Sequence, residues 1–152
     1  MIDCIEMPYK PKLDEQGRRQ DEPALCLVCG TIVNSGNRSK DITSEPLTNK
    51  ILKDYPGECT MHARTCGSGI GIFLLLMHNN VLLIRGARSA KYGALYLDKN
   101  GETGEGRGHN RPLALSATRY HKLEEMYLRH QVASEVTRKR LSQDRSIRAY
   151  YY

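Results

Sequence analysis

Two pairs of metal-binding residue types, set about thirty positions apart, constrain this chain more than any other feature of it. The first is Cys26-Leu-Val-Cys29, followed by Gly30; the second is Cys59-Thr-Met-His62, with Cys66 after three further residues. Two intervening residues let both sulfurs of a tight knuckle face one ion, and Gly30 permits the sharp backbone turn behind them. Four-coordinate zinc needs four soft or borderline donors, and Cys26, Cys29, Cys59, His62 and Cys66 make five candidates. The spacing favours Cys26, Cys29, Cys59 and His62, with Cys66 as a neighbouring thiol or as a replacement for one of them. A site filled by four protein ligands has no position for water, so the expected cofactor is one structural Zn2+ that staples the fold and catalyses nothing. Buried thiols beside a satisfied histidine would leave the paired spacing without a cause.

A staple suits the rest of the composition. The 152 residues allow one compact domain with a modest core, and they include no Trp, one Phe and nine Tyr. Aromatic burial therefore falls mostly on side chains whose hydroxyl needs a partner. Lys and Arg number 23 against 17 Asp and Glu, a net +6 that suits acidic protein surfaces or nucleic acid without choosing between them. The first residues, Met1-Ile-Asp-Cys-Ile-Glu6, carry acids where a secretory signal needs a basic and then an apolar stretch. The longest apolar run, Ile70 to Met77, is far short of the about 20 residues a membrane helix requires. These features predict a soluble intracellular protein, cytoplasmic and with the nucleus also open to it, whose cysteines stay reduced.

Residues 1–22 are charged and interrupted by Pro8, Pro11 and Gly17, which marks an arm or linker. The compact domain is expected over 23–141, with a polar, exposed loop at 34–56, and a basic, tyrosine-ended tail over 142–152. Ile70 to Met77 and Val81 to Ile84, separated by His78-Asn79-Asn80, predict a β-hairpin. Neither run alternates cleanly, which points to a sheet covered on both faces. Gly86 to Gly93 reads as turn-rich, and Asn100 to Gly106 as a loop. Ser116 is placed to cap a helix, and Tyr120, Leu123, Tyr127, Leu128, Val132 and Val136 extend one amphipathic helix from about Ala117 to Leu141. The predicted class is α+β: a small zinc-stapled domain with a β-hairpin or antiparallel-sheet core and one long C-terminal amphipathic helix.

A RING finger needs two interleaved zinc sites, and Cys4, His78, His109, His121 and His130 do not complete a second one at usable spacings. The segments Glu22-Pro-Ala-Leu-Cys-Leu-Val-Cys-Gly-Thr31, Gly57-Glu-Cys-Thr-Met-His62, Cys66-Gly-Ser-Gly-Ile-Gly-Ile-Phe-Leu-Leu-Leu76 and Tyr96-Leu-Asp-Lys-Asn-Gly-Glu102 resemble the extreme C-terminal domain of UBR-type ubiquitin ligases. Arg111-Pro-Leu-Ala-Leu115 and Arg119-Tyr120 continue the resemblance, which covers about residues 22–137. The pattern departs from the family's at Gly104, where an acid is usual, and at His109-Asn110.

The resemblance implies part of a large ligase that recognises proteins by destabilising N-terminal residues, the N-degron pathway. Cys26, Cys29, Cys59, His62 and Cys66 all fall on the family's Cys/His positions. The family's substrate-binding UBR box and its RING lie outside the region resembled. The implied role is accessory and non-catalytic: bracing or autoinhibiting the substrate-recognition region. The implied partners are the UBR box and the RING region, with a ubiquitin-conjugating enzyme engaged only through the RING that this segment lacks.

Other features have blander readings. Gly101 to Gly108 lacks the strand, Lys-Ser/Thr ending and helix of a phosphate loop. Pairings such as His109 with Glu105, or Cys66 with His62, form no recognisable triad. A basic zinc-ribbon-like nucleic-acid binder is the alternative function. Apart from the terminal tyrosines, no aromatic residue is interleaved with Arg138-Lys-Arg140, Arg145 and Arg148 as a stacking platform, so nucleic acid is not the expected partner, and neither is a membrane.

Overall fold

A computed structural model describes residues 22–35, 56–103 and 112–150 together with Glu15, with side chains as far as residue 143. Most of the expected arm, residues 36–55 of the expected loop, the 104–111 stretch and the last two tyrosines lie outside the described residues. In chain order the elements are β1 (Pro23–Cys26), β2 (Ile32–Asn34), α1 (Glu58–Cys66), β3 (Ile70–Leu75), β4 (Asn80–Arg85), β5 (Arg88–Gly93), β6 (Tyr96–Leu97), β7 (Ala114–Leu115), α2 (Ala117–Leu128) and α3 (Val132–Tyr150).

Five strands form one antiparallel sheet in the order β2-β1-β3-β4-β5, and β6 pairs with β7 beside it. The expected hairpin is β3 and β4, closed by a turn in which Asn79 takes φ 45°, a conformation Asn tolerates better than most residues. Its mixed pattern has the expected cause. Ile72, Leu74, Val81 and Leu83 face one core with Leu123, Val132 and Val136, while Phe73, Leu75 and Ile84 face a second core with Ala24, Cys26, Cys59 and Ala63. One face of the sheet is thus covered by α2 and α3 and the other by α1. The α+β class and the antiparallel core are borne out.

Three local expectations change. Gly86 to Gly93 is a tight turn and a strand: Arg85 pairs with Arg88, Gly86 takes φ 56° at the first central position, and β5 follows. The strand escapes a hydrophobicity search because it is the sheet's edge, with Ala90 and Tyr92 packed inward and Arg88, Ser89 and Lys91 at the surface. The segment 117–141 is two helices. Ser116 caps α2 as expected, accepting from the Arg119 amide at 3.4 Å. The chain then leaves the helix at His130, φ 56°, while Gln131 N–H donates to Met126 O and His130 N–H to Tyr127 O, the bonds of a Schellman stop. Glycine would announce such a stop; histidine conceals it. Thirdly, Glu58–Cys66 is helical, an element that the spacing of Cys59 and His62 did not announce.

Candidate metal centre

The first donor pair sits where β1 runs into β2. Cys26 N–H donates to Thr31 O at 2.8 Å and Gly30 N–H to Cys26 O at 2.9 Å, so the chain folds back within a few residues, with Gly30 at φ 80°. Cys26 is buried against Phe73, and Cys29 stands at the surface. The second pair comes from α1, where His62 and Cys66 are one turn apart on a single face. Gly71 of β3 lets that helix approach: a Cβ there would lie 2.9 Å from the Ala63 Cβ and closer still to the Phe73 ring. Phe73 also meets the His62 ring edge-on, with centroids 5.9 Å apart.

The donor atoms of Cys26, Cys29, His62 and Cys66 all lie within 4.8 Å of one another. Cys29 Sγ is 3.2 Å from His62 Nε2 and 3.2 Å from Thr31 Oγ1. A tetrahedron built on Zn–S bonds of about 2.3 Å has edges near 3.8 Å, so small shifts would close the set round one ion. The side-chain hydrogen bond between Cys29 and Thr31 is the largest influence bringing the Cys29 thiol down to about 6, whereas desolvation, followed by its hydrogen bond to Cys29, lifts Cys66 to about 11. Opposite movements are expected of adjacent thiols that share a proton, and a bound cation would favour both thiolates.

Cys59 stands apart from this group. Its side chain is buried in the core under α1, with Sγ 3.9 Å from Asn34 O, and burial pushes its thiol up to about 12. Helix geometry supplies the reason. Cys59 and Cys66 are seven residues apart in α1, about 10 Å along its axis, too far to share one ion. The helix must offer either Cys59 with His62 or His62 with Cys66, and the β1–β2 turn meets its C-terminal end. Cys66 thus takes the place that spacing gave to Cys59. The motif Gly57-Glu58 followed by His62 and Cys66 at i,i+4 carried the relevant signal. Sequence reasoning also missed a second tie between the segments: Asn34 N–H donates to the Glu58 carboxylate at 3.0 Å.

A family model described as Proteolysis_6 C-terminal matches residues 5–129. The chain belongs to that family. It is 39% identical over 117 residues to E3 ubiquitin-protein ligase UBR1 of Mus musculus, a match covering 76% of this chain and 6% of that protein. It is 34% identical over 121 residues to UBR2 of Homo sapiens, covering 79% and 6%, and 36% identical over 110 residues to human UBR3, covering 72% and 5%. The kinship with UBR-type ligases is borne out, and the chain spans about a twentieth of the length of those relatives. Family membership does not rest on the metal residues alone, because the match takes in the hairpin and α2 as well.

Proposed function

We propose that this domain is a non-catalytic, zinc-stapled interaction module of a UBR-type ubiquitin ligase, and that it braces or autoinhibits the ligase's substrate-recognition region in N-degron protein degradation. One observation carries the reading: four donors from two separate segments, Cys26 and Cys29 on a β-turn and His62 and Cys66 on a helix, converge on one point. Three thiolates and an imidazole suit Zn2+ better than harder divalent ions, and four protein ligands complete its tetrahedron. Bound there, zinc supplies cross-linking. This chain's residues do the rest: Gly30 sets the turn, Phe73 orients His62, and Glu58 holds Asn34 so that both ligand segments keep their register.

Such a module exerts its effect through surfaces, and the partners proposed are the UBR box and the RING region of the same ligase, in the cytoplasm or the nucleus. The test has two parts. Elemental analysis of the purified chain is expected to find about one zinc per molecule, lost in Cys26→Ser. The zinc-loaded chain is expected to retain a separately expressed UBR-box segment on a column, and the Cys26→Ser chain to release it. A folded chain without zinc would remove the staple, and no retention of either ligase segment would remove the bracing role.

A further inference from the structure

On the face of the sheet away from the metal centre, α2, α3 and the end of β5 enclose an open groove of ≈ 670 Å³. Its walls carry Arg119 and Lys122 from α2 and Arg138 and Lys139 from α3, against a single carboxylate among the described residues, Glu135. Three positive charges are therefore left in excess in one concavity, where low-dielectric walls concentrate the field. Several of these cations are held in place by the fold. Arg119 Nη1 donates to Ala94 O at 2.8 Å, Lys139 Nζ to Tyr92 O at 3.2 Å, and Arg138 grips Glu135 through two bonds of 2.8 and 2.6 Å. Bonds from α3 also cover part of the sheet edge. With Tyr92 O taken by Lys139 and Ser89 O by Arg140 at 3.4 Å, an incoming strand finds edge carbonyls already occupied. Whatever enters must be recognised by the charged side chains.

We infer that this groove binds an acidic segment of a protein chain, whose Asp and Glu side chains meet Arg119, Lys122, Arg138 and Lys139. The cations are spread along two helices, an arrangement that suits several carboxylates along a chain better than one compact anion. Nucleic acid is disfavoured because the groove's aromatic ring, Tyr92, is covered by Lys139 at 5.4 Å from its centroid and offers no stacking surface. The choice of a protein occupant goes beyond the bracing role but rests on that reading of the chain as an interaction module; the preference for carboxylates does not.

The test is fluorescence anisotropy on the full zinc-loaded chain with a labelled Glu-Ser repeat peptide. A Gln-Ser peptide and a single-stranded oligonucleotide of equal charge serve as comparators. The acidic peptide is expected to bind, with affinity falling as NaCl rises from about 0.05 to about 0.3 M. Lys122→Glu is expected to weaken it about tenfold. Lys91→Glu, at the surface of β5 and outside the groove, leaves it unchanged. Absence of binding, equal loss in Lys91→Glu, or tighter binding of the oligonucleotide through Lys122 overturns the inference. A chain that retains the UBR-box segment yet ignores the peptide refutes the groove alone, and one that binds the peptide but neither ligase segment refutes the bracing role alone.

Discussion

Cys59 and Cys66 are the same chemical group in the same helix, and position alone gives them different work. Cys66 faces the turn that carries Cys26 and Cys29, while Cys59 is sealed under the helix with its thiol beside Asn34 O. In cobalt-substituted protein, Cys66→Ser is expected to remove about a third of the thiolate-to-metal charge-transfer absorption, since one of three sulfurs is lost. Cys59→Ser is expected to leave that absorption intact and to cost about 1–2 kcal/mol in denaturant unfolding, as a hydroxyl replaces a buried thiol. The reverse pattern would return Cys59 to the metal. The donor types were legible in the sequence because zinc chemistry restricts them so strongly. The choice between the two cysteines was not, because it depends on which end of α1 meets the β1–β2 turn, and that follows from helix packing at Gly71, a contact spacing does not record.

At the scale of elements, α3 contributes more than its sequence suggests. It begins beyond the family match, which ends at residue 129, yet Val132 and Val136 are 1% and 0% exposed in the core under the sheet. Its next turn covers the sheet edge, through Lys139 and Arg140 on the carbonyls of β5, and Thr137 bonds Arg85 at 2.9 Å. Val136→Ala is therefore expected to destabilise the chain by about 2 kcal/mol, measured by urea unfolding, as methyl groups are removed from a closed core. A change below about 0.5 kcal/mol, the level of ordinary surface substitutions, would show that α3 is an appendage. The hairpin was legible as two short apolar runs either side of a turn, and the apolar spacing of α2 and α3 because burial of one face imposes a period near four on helices. The stop at His130 and the strand β5 were not: the first uses a residue that rarely marks a helix end, and the second is an edge with few inward side chains.

For the whole molecule, the sheet separates two cores, and only one of them contains a candidate metal ligand. The buried residues of the core under α2 and α3 all come from one stretch of sequence, 72–136, and include no candidate ligand; Leu25 and Leu27, either side of Cys26, pack only at its margin. The core under α1 draws on Ala24, Cys26, Cys59 and Ala63, whose segments lie more than thirty residues apart and meet at the candidate metal site. Bringing such segments together carries a loop-closure cost that a cross-link offsets. Chelation is thus expected to divide the molecule. Hydrogen exchange with and without a strong chelator should show α1, β1 and β2 losing protection while β3, β4 and α2 retain most of theirs. Uniform loss would mean that the zinc holds the entire fold, and uniform retention that it holds none of it. Partial loss on the α1 side would leave the basic groove intact. Retained affinity for the acidic peptide in chelator, alongside lost affinity for the UBR-box segment, would then assign the two binding activities to opposite faces of one sheet.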